Sequence, residues 1–312
     1  MPAPASKPPL LAIVGPTGTG KSALAVVLAR HFRGEIVNAD SGQVYRGLDI
    51  GTAKPPPQVR QEIPHHLYDL VNPDEPFSLG LYVRLARETI ADIHSRGALP
   101  ILVGASGQYV WALLEGWEVP EVPPQPSLRA ALLAKAQLEG PDALYALLQR
   151  LDPHAAQHID SRNLRRVVRA LEVCLTSGKP FSALRRRGEV PWRWLALGLT
   201  YPTRQALYQA LDQRVEAMLE GGWLEEIRGL LAQGYSPDLP VLARLGYRPV
   251  MLAVQGRMSL EEAVAQVKRL HRVVARRAYT WFRPDDPRIR WLVVSPELAQ
   301  QAQDVVRTFL GQ

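Results

Sequence analysis

Leu10-Leu11-Ala12-Ile13-Val14-Gly15-Pro16-Thr17-Gly18-Thr19-Gly20-Lys21-Ser22 runs directly into Ala23-Leu24-Ala25-Val26-Val27-Leu28, and the fold turns on this stretch. Five apolar residues are stopped by Gly-Pro, and Leu24, Val27 and Leu28 recur at helical spacing through Lys21 to His31, so the order is strand, loop, helix. Gly15 to Ser22 satisfies G-x-x-x-x-G-K-[ST] in the setting that motif requires, between a buried strand and a helix start. The glycines let successive backbone N–H groups turn inward on phosphate oxygens, and the helix N-terminus adds partial positive charge. Lys21 spans the terminal phosphates, and the Ser22 hydroxyl is a candidate ligand for Mg²⁺. Such a loop specifies phosphates; it does not specify hydrolysis of a triphosphate.

Outward from the loop, Glu35 to Ala39 forms a second short strand. Pro100 to Val103 forms a third, entered from an amphipathic helix over Leu79 to Arg96. Trp194 to Thr200 and Arg290 to Ser295 have the character of later strands. Strands alternating with helices imply an α/β fold, a parallel sheet flanked by helices on both faces. The middle of the chain differs. After a Pro-rich stretch, Val119 to Pro126, only helical patterns follow until about Pro191, which describes an inserted all-helical domain. The expected division is a core of residues 1–117 and 191–312 and a helical insertion of 118–190. Helices are also expected over Arg204 to Glu220, Leu224 to Gln233, and Ser259 to about Arg283. Ser259 and Glu262 make a capping box for the last of these.

With 312 residues and 46% hydrophobic content, the chain can bury a substantial core, which excludes disorder. A net charge of +7, carried mostly by arginine, favours a polyanionic partner. The single cysteine, Cys174, excludes an intramolecular disulfide and a cysteine-cluster zinc site. It points to a reducing compartment, with the cytoplasm as the default. His65, His66, His154, His158 and His271 share no metal-ligand spacing with it. No apolar run is long enough for a membrane span, and Met1 to Pro9 has the composition of a lead-in without an apolar signal region. Trp111, Trp117, Trp192, Trp194 and Trp281, five of the seven tryptophans, are core or domain-junction candidates before they are base-stacking ones.

Asp40 closes the second strand, in the crevice where doubly wound sheets bind ligands. Two roles stay open for it on position alone: a metal ligand, as in a kinase, or a general base taking a proton from an incoming nucleophile. In the helix beginning at Arg204, Leu207, Leu211, Val215 and Met218 form the apolar face. Arg214 borders that face and can point inward or snorkel to water.

With the P-loop upstream, Asp40-Ser41-Gly42-Gln43-Val44-Tyr45 leading to Gly51-Thr52-Ala53-Lys54-Pro55 closely resembles the tRNA dimethylallyltransferases, also called tRNA isopentenyltransferases. The segments Pro64 to Asp69, Leu102 to Tyr109, Arg169 to Val173 with Ser177-Gly178-Lys179, Gly246-Tyr247-Arg248 and Thr280 to Arg283 follow in the family's order. The resemblance spans roughly residues 10 to 285 and is to the bacterial type without a zinc finger. It implies a P-loop NTPase-like sheet and transfer of a dimethylallyl group from dimethylallyl diphosphate to the N6 amine of adenosine 37 in the anticodon stem-loop of tRNA. It further implies Asp40 as the base, Lys21 and Arg214 as cations on the diphosphate, a monomer, and Mg²⁺ as cofactor. Its tRNA-contacting segments correspond to Asp40, Ser41, Gly42, Gln43 and Ser106, to Arg129, Arg165, Arg166, Val167, Val168 and Arg169, and to Ala243, Arg244, Leu245, Gly246, Tyr247 and Arg248.

The chain departs from the family pattern in places. Gly104-Ala105-Ser106 stands for the usual Gly-Gly-Thr, so Ser106 must supply the hydroxyl directed at diphosphate, without the methyl that restricts threonine's rotamers. His271-Arg272 stands for Thr-Arg, and Arg276-Arg277-Ala278 for Lys-Arg-Gln. These changes keep the charge but remove a threonine hydroxyl and a glutamine amide. The matched segment containing His65 and His66 has no chemical role readable from its residues.

In the inserted helix, Leu164, Val167, Val168, Leu171, Cys174 and Leu175 are expected to share an apolar face, leaving Arg162, Arg165, Arg166 and Arg169 as a basic stripe with Glu172 the only nearby acid. Arg185 to Arg187 extend that charge. Lys268, Arg272 and Arg276 make a second stripe in the C-terminal helix. The adenine must leave the anticodon stack to react, and the Gln43 amide offers a displaced base both a donor and an acceptor. Two other readings remain: a small-molecule nucleotide kinase using the same P-loop, and a non-catalytic RNA-binding protein with a vestigial loop. The basic insertion weighs against the first. Retention of Lys21, Ser22, Asp40 and Arg214 together weighs against the second.

Overall fold

A strand covered on both faces must be apolar at every position, and Leu10 to Val14 meets that condition in the interior of the sheet. The computed structural model describes residues 7–120, 122–184 and 186–312. Arg185, and with it one end of the Arg185–Arg187 run, lies outside the described residues, as do most of the lead-in and Glu121 of the Pro-rich stretch.

In chain order the elements are β1 (Pro9–Val14), α1 (Lys21–Phe32), β2 (Gly34–Asn38), α2 (Pro57–Glu62), β3 (His65–His66), α3 (Leu79–Ser95), β4 (Leu99–Val103) and α4 (Gly107–Leu114). The middle holds β5 (Trp117–Glu118), α5 (Pro126–Glu139), α6 (Pro141–Leu151), α7 (Pro153–His158), α8 (Leu164–Ser177), α9 (Phe181–Leu184) and β6 (Arg186–Arg187). Then follow β7 (Arg193–Thr200), α10 (Arg204–Glu220), α11 (Trp223–Ala232), α12 (Pro240–Leu245), α13 (Tyr247–Val254), α14 (Leu260–Trp281), β8 (Ile289–Val293) and α15 (Leu298–Leu310). The chain divides into two compact units, Glu115–Glu189 and the remainder.

The larger unit is a six-stranded sheet in the order β3-β2-β4-β1-β7-β8. Every pairing in it is parallel. Side chains alternate across a strand, so Leu11, Ile13, Ile36, Ile101 and Leu197 face one side, where Leu24 and Leu28 of α1 and Val306 of α15 cover them. On the opposite side α3 packs against β2 and β4. A separate core gathers Val44, Leu48, Val215, Trp223, Ile227, Tyr247 and Val267, binding the segment after β2 to α10, α11, α13 and α14. The capping box of α14 forms as the sequence predicts: Ser259 Oγ accepts from Glu262 N at 3.1 Å and Glu262 Oε2 from Ser259 N at 3.2 Å.

In the smaller unit Leu132, Leu144, Leu148, Ala156, Val167 and Leu171 make the core of a helical cluster. Trp117 and Glu118 pair antiparallel with Arg187 and Arg186. Asp152 caps α7, accepting from Ala155 N at 2.9 Å, and also takes Ser182 N and Ser182 Oγ, each at 2.7 Å. Leu175 is 46% exposed, which corrects its expected place on the apolar face of α8; Cys174 is buried as expected.

The ends of β1, β2 and β4 are stitched together by the backbone. Ala39 N donates to Val103 O at 2.7 Å, Gly104 N to Ile13 O at 3.2 Å, and Ser106 N to Ala39 O at 3.1 Å. A Cβ on Gly104 would sit 2.0 Å from the Ala39 carbonyl oxygen, so no side chain is tolerated there without moving backbone. Gly104→Ala is therefore expected to destabilise the protein by about 3 kcal/mol, read as a lowered midpoint in denaturant at unchanged m-value. A midpoint matching the parent would mean the strand ends have more freedom than these contacts allow.

Candidate active site

A parallel sheet collects the loops that follow its strands along one edge. Here β1 delivers Gly15–Ser22, β2 delivers Asp40, and β4 delivers Ser106. The loop takes the left-handed conformations its glycines permit, with φ of 124° at Gly15, 82° at Gly18 and 81° at Gly20. Lys21 Nζ donates to the Pro16 carbonyl at 2.6 Å, and Thr19 Oγ1 to the same carbonyl at 3.0 Å. Ser22 stands in the first turn of α1 and is partly exposed.

Asp40 is fixed by its neighbours. Its N–H donates to Asn38 Oδ1 at 2.8 Å, and its Oδ1 accepts from Gly42 N at 2.9 Å. Asn38 is fully buried, donating to Leu67 O at 3.0 Å and accepting the Tyr82 hydroxyl on its carbonyl at 2.9 Å. Ser41 N donates to Ser106 Oγ at 2.8 Å, so the serine that replaces the family's threonine is held through an acceptor lone pair and keeps its own proton to donate.

Arg214 turns inward, the first of the two orientations open to a border arginine. Its Nη2 donates to the Thr52 carbonyl at 3.3 Å, while its enclosed Nε has no partner among the described residues. Burial pulls the guanidinium's pKa down, and the charge of Asp40 opposes that. Burial likewise pushes the Lys21 ammonium from 10.5 down to about 7, with Asp40 resisting and Arg214 reinforcing the shift. A lysine so depressed binds fewer protons folded than unfolded between about 7 and 10.5, so the free protein gains stability as pH rises through that window. His271 is 8% exposed, and burial with the charge of Arg214 beside it pushes the imidazole down to about 4, Asp212 opposing. The stability linked to His271 is accordingly lost as pH falls from 6.5 towards 4.

Two phenols complete the surroundings of Asp40. Burial raises the pKa of Tyr68, and Asp40 adds to the effect; Tyr109 is raised by burial, with Tyr45 and Asp40 in the same direction. Tyr68 lies between two non-glycine residues in the left-handed region, Leu67 at φ 66° and Asp69 at φ 54°, a placement that costs backbone energy. The matched segment at 64–69 thus presents Tyr68. His66 Nε2 bonds Glu35 Oε2 at 2.7 Å and His65 Nδ1 bonds the Ile63 carbonyl at 2.6 Å, and among the described residues there is no cluster of metal-ligating side chains.

Several expectations need correction. Gln43 does not offer a donor to a base: its amide nitrogen already donates to Thr52 O at 3.0 Å and Ala53 O at 3.1 Å, which leaves the oxygen. Tyr247 is fully buried, its hydroxyl on Glu226 Oε1 at 2.7 Å, and Gly246 is buried too. Of that segment, Ala243, Arg244 and Arg248 are exposed, with Arg248 bonded to Asp238 at 2.9 Å. Leu245 lies against the Asp40–Gln43 turn, its Cδ2 3.0 Å from where a Cβ on Gly42 would be.

In the helical unit, Val167 and Val168 are core. Glu172, fully buried, accepts from Gln125 N at 2.7 Å, Arg129 Nε at 2.8 Å and Arg169 Nη1 at 2.6 Å. Burial alone would raise that carboxyl; the two arginines and the amide hold it below its ordinary range. Arg129 and Arg169 are therefore structural partners of one acid, and the stripe is more self-compensated than its spacing implies. Arg162 pairs with Asp160 at 2.9 Å, whereas Arg165 and Arg166 are exposed and have no acid partner among the described residues. Two members of the second stripe are spent on α10, Lys268 pairing with Glu216 at 2.7 Å and Arg272 with Asp212, while Arg276 is exposed.

Two unpaired cations and a carboxylate at a P-loop describe a site for a diphosphate and a proton-bearing nucleophile. The IPP transferase family matches residues 43–285, and the isopentenyl transferase family matches residues 8–64. The chain belongs to the IPP transferase family. The tRNA dimethylallyltransferase of Roseiflexus sp. (strain RS-1) is 49% identical over 302 residues, covering 97% of this chain and 99% of that protein. The crystal structure of the tRNA isopentenylpyrophosphate transferase from Bacillus halodurans superposes with a TM-score of 0.70 at 34% identity, covering 98% of this chain and 96% of that one. A eukaryotic dimethylallyltransferase acting on tRNA gives a TM-score of 0.79 at 28% identity, over 97% and 80% of the two chains. The P-loop NTPase-like sheet implied by the sequence is the fold these family members share.

An enclosed cation without an acid partner costs stability until an anion arrives. Arg214→Met is expected to raise the stability of the ligand-free protein by on the order of 1 kcal/mol and to reduce the extra thermal stabilisation given by inorganic diphosphate. Thermal unfolding with and without diphosphate checks both; a less stable free variant with an undiminished diphosphate effect would contradict this account of Arg214.

Proposed function

We propose that this enzyme transfers a dimethylallyl group from dimethylallyl diphosphate to the N6 amine of adenosine 37 in tRNA, releasing diphosphate. The observation that carries the reading is the P-loop itself, with Lys21 buried on the Pro16 carbonyl and Arg214 turned inward onto the Thr52 carbonyl, both within the field of Asp40. The amine nitrogen forms a bond to the terminal allylic carbon as the carbon–oxygen bond to diphosphate breaks, and the electron pair leaves on the diphosphate. Lys21, Arg214 and the loop N–H groups take up the charge that develops there. Asp40 accepts the proton that the amine loses. Ser106, anchored on Ser41 N, donates its hydroxyl hydrogen to a diphosphate oxygen. The extruded base meets Asp40 beside Tyr68 and Tyr109, and Gln43 faces it with an acceptor oxygen.

Mg²⁺ fits the donors at this loop. The Ser22 hydroxyl is a hard oxygen ligand, and Mg²⁺ is characteristically held by few protein groups together with substrate phosphate oxygens and water. Ser22 would hold it, and the ion would supply further charge neutralisation to the diphosphate.

In the helical unit Arg165 and Arg166 are the residues we assign to tRNA phosphates, because they are exposed without acid partners among the described residues. Arg244 serves the same purpose from α12, beside the Asp40–Gln43 turn. We assign the protein to the cytoplasm as a monomer, the state the family resemblance implies, and its one cysteine, Cys174, is a free buried thiol. Among the described residues no helix is long and apolar enough to cross a membrane.

Incubation with an anticodon stem-loop, dimethylallyl diphosphate and Mg²⁺, followed by mass spectrometry of the RNA, is expected to show one added five-carbon unit on the adenosine 3′ of the anticodon. RNA of unchanged mass would contradict the reaction. Asp40→Asn should lower kcat by about 10² to 10⁴ with diphosphate affinity retained; a rate close to the parent's would remove Asp40 from the base role. Replacing Arg165 and Arg166 together by alanine should reduce the slope of log K for tRNA against log salt by roughly 1 to 2. An unaltered slope would remove these arginines from the phosphate interface.

A further inference from the structure

Arg214 and Gln43 hang on one backbone carbonyl, that of Thr52, which accepts from Arg214 Nη2 at 3.3 Å and from Gln43 Nε2 at 3.0 Å. Where that carbonyl points decides where the guanidinium and the amide point. The loop bearing it, Leu48 to Lys54, is not part of any helix or strand; two turn bonds, Ala53 N to Ile50 O and Lys54 N to Asp49 O, each at 2.9 Å, fold it, and side chains hold it further. Thr52 Oγ1 donates to Leu48 O at 2.5 Å, and the buried Lys54 ammonium donates to Asp49 Oδ1 at 2.6 Å and Tyr45 O at 2.6 Å. A further constraint comes from outside the loop. Glu226, in the first turn of α11, accepts three consecutive backbone N–H groups: Asp49 at 2.9 Å and Ile50 at 2.6 Å on Oε2, and Gly51 at 3.3 Å on Oε1. Successive N–H groups converging on one anion form a nest, and a nest admits a carboxylate far better than a neutral amide. Tyr247, fully buried, fixes the same carboxylate by donating its hydroxyl to Oε1 at 2.7 Å.

We propose that Glu226 is a positioning residue for the diphosphate site: held by Tyr247 and seated in the Asp49–Gly51 nest, it sets the Thr52 carbonyl and, through that carbonyl, Arg214. Glu226 touches neither substrate nor the reacting atoms. The proposal rests on the reading of Arg214 as a diphosphate ligand. It assigns Tyr247, a member of a tRNA-contacting segment by resemblance, to holding the anion side of the site from within the core.

The test is a double-mutant cycle on diphosphate binding and turnover with the full-length protein. Glu226→Gln removes the charge and confronts the nest with an amide. It is expected to weaken inorganic diphosphate binding by calorimetry, and to raise the KM for dimethylallyl diphosphate, each about tenfold. The KM for the anticodon stem-loop is expected to stay within about twofold. In an Arg214→Ala background the Glu226→Gln effect on diphosphate should disappear, because the group it positions is gone. A merely structural glutamate would lower the unfolding midpoint and leave diphosphate affinity alone, or act equally in both backgrounds; either result overturns the proposal. If Glu226→Gln does not fold, Tyr247→Phe enters the same cycle with the same expected direction and the same contrary result. If Arg214→Ala itself binds diphosphate like the parent, the diphosphate reading fails and takes this inference with it, whereas failure at Glu226 alone leaves that reading standing.

Discussion

Two positive side chains, Lys21 buried and Arg214 partly enclosed, with one carboxylate whose charge reaches both, form the constraint on which the rest of the molecule depends. Among the described residues neither Lys21 nor Arg214 has an acid of its own: Lys21 rests on the Pro16 carbonyl and Arg214 on the Thr52 carbonyl. Carbonyl dipoles compensate part of the desolvation of a cation and leave an excess of positive potential. That excess is what a leaving diphosphate requires, and it is present before the substrate arrives, so no reorganisation is needed as charge develops. The sheet places the pieces: β1 brings the lysine, β2 the acid, and α10 the arginine, each on an element with its own apolar anchoring.

The same constraint explains why so much polar structure lies behind the site. A cation that cannot be held by a salt bridge has to be held by backbone, and backbone in a loop has to be held by something else. Here a nest filled by Glu226, a buried Lys54 and the Asn38 amide carry that duty. Leu67 and Asp69 accept left-handed geometry to bring Tyr68 beside the acid. Strain and buried charge thus collect around Asp40, and the apolar layers of the sheet offset them.

What could be read from the sequence follows from the range of each interaction. The strand, loop and helix around Lys21 are fixed by neighbours in the chain, and β2, β4, α3, α10 and α14 announce themselves by period and caps. Asp40 was legible because it follows the second strand, which ends at Asn38, on the sheet edge that also carries the P-loop. Arg214 was legible only as a border residue, and its direction depends on Thr52, far away in the chain. The arginine stripes misled in part for the same reason. Arg129 meets Glu172 from another helix, which no local spacing records, whereas Arg169 and Glu172 are an i,i+3 pair of α8 and Asp160 lies two residues before Arg162, so those two pairings are legible locally. Glu226 carried no signal at all, since one glutamate in the first turn of a helix ordinarily serves that helix's own N–H groups. The two-residue strand at His65 is too short for any periodicity to mark it.

The central claim, that Lys21 is held as an under-solvated and uncompensated cation, is tested most directly by NMR titration of its side-chain nitrogen in the free protein and with diphosphate bound. A midpoint near 7 in the free protein that moves upward with diphosphate is the predicted result. A free-protein midpoint near the ordinary 10.5, unmoved by diphosphate, would contradict it.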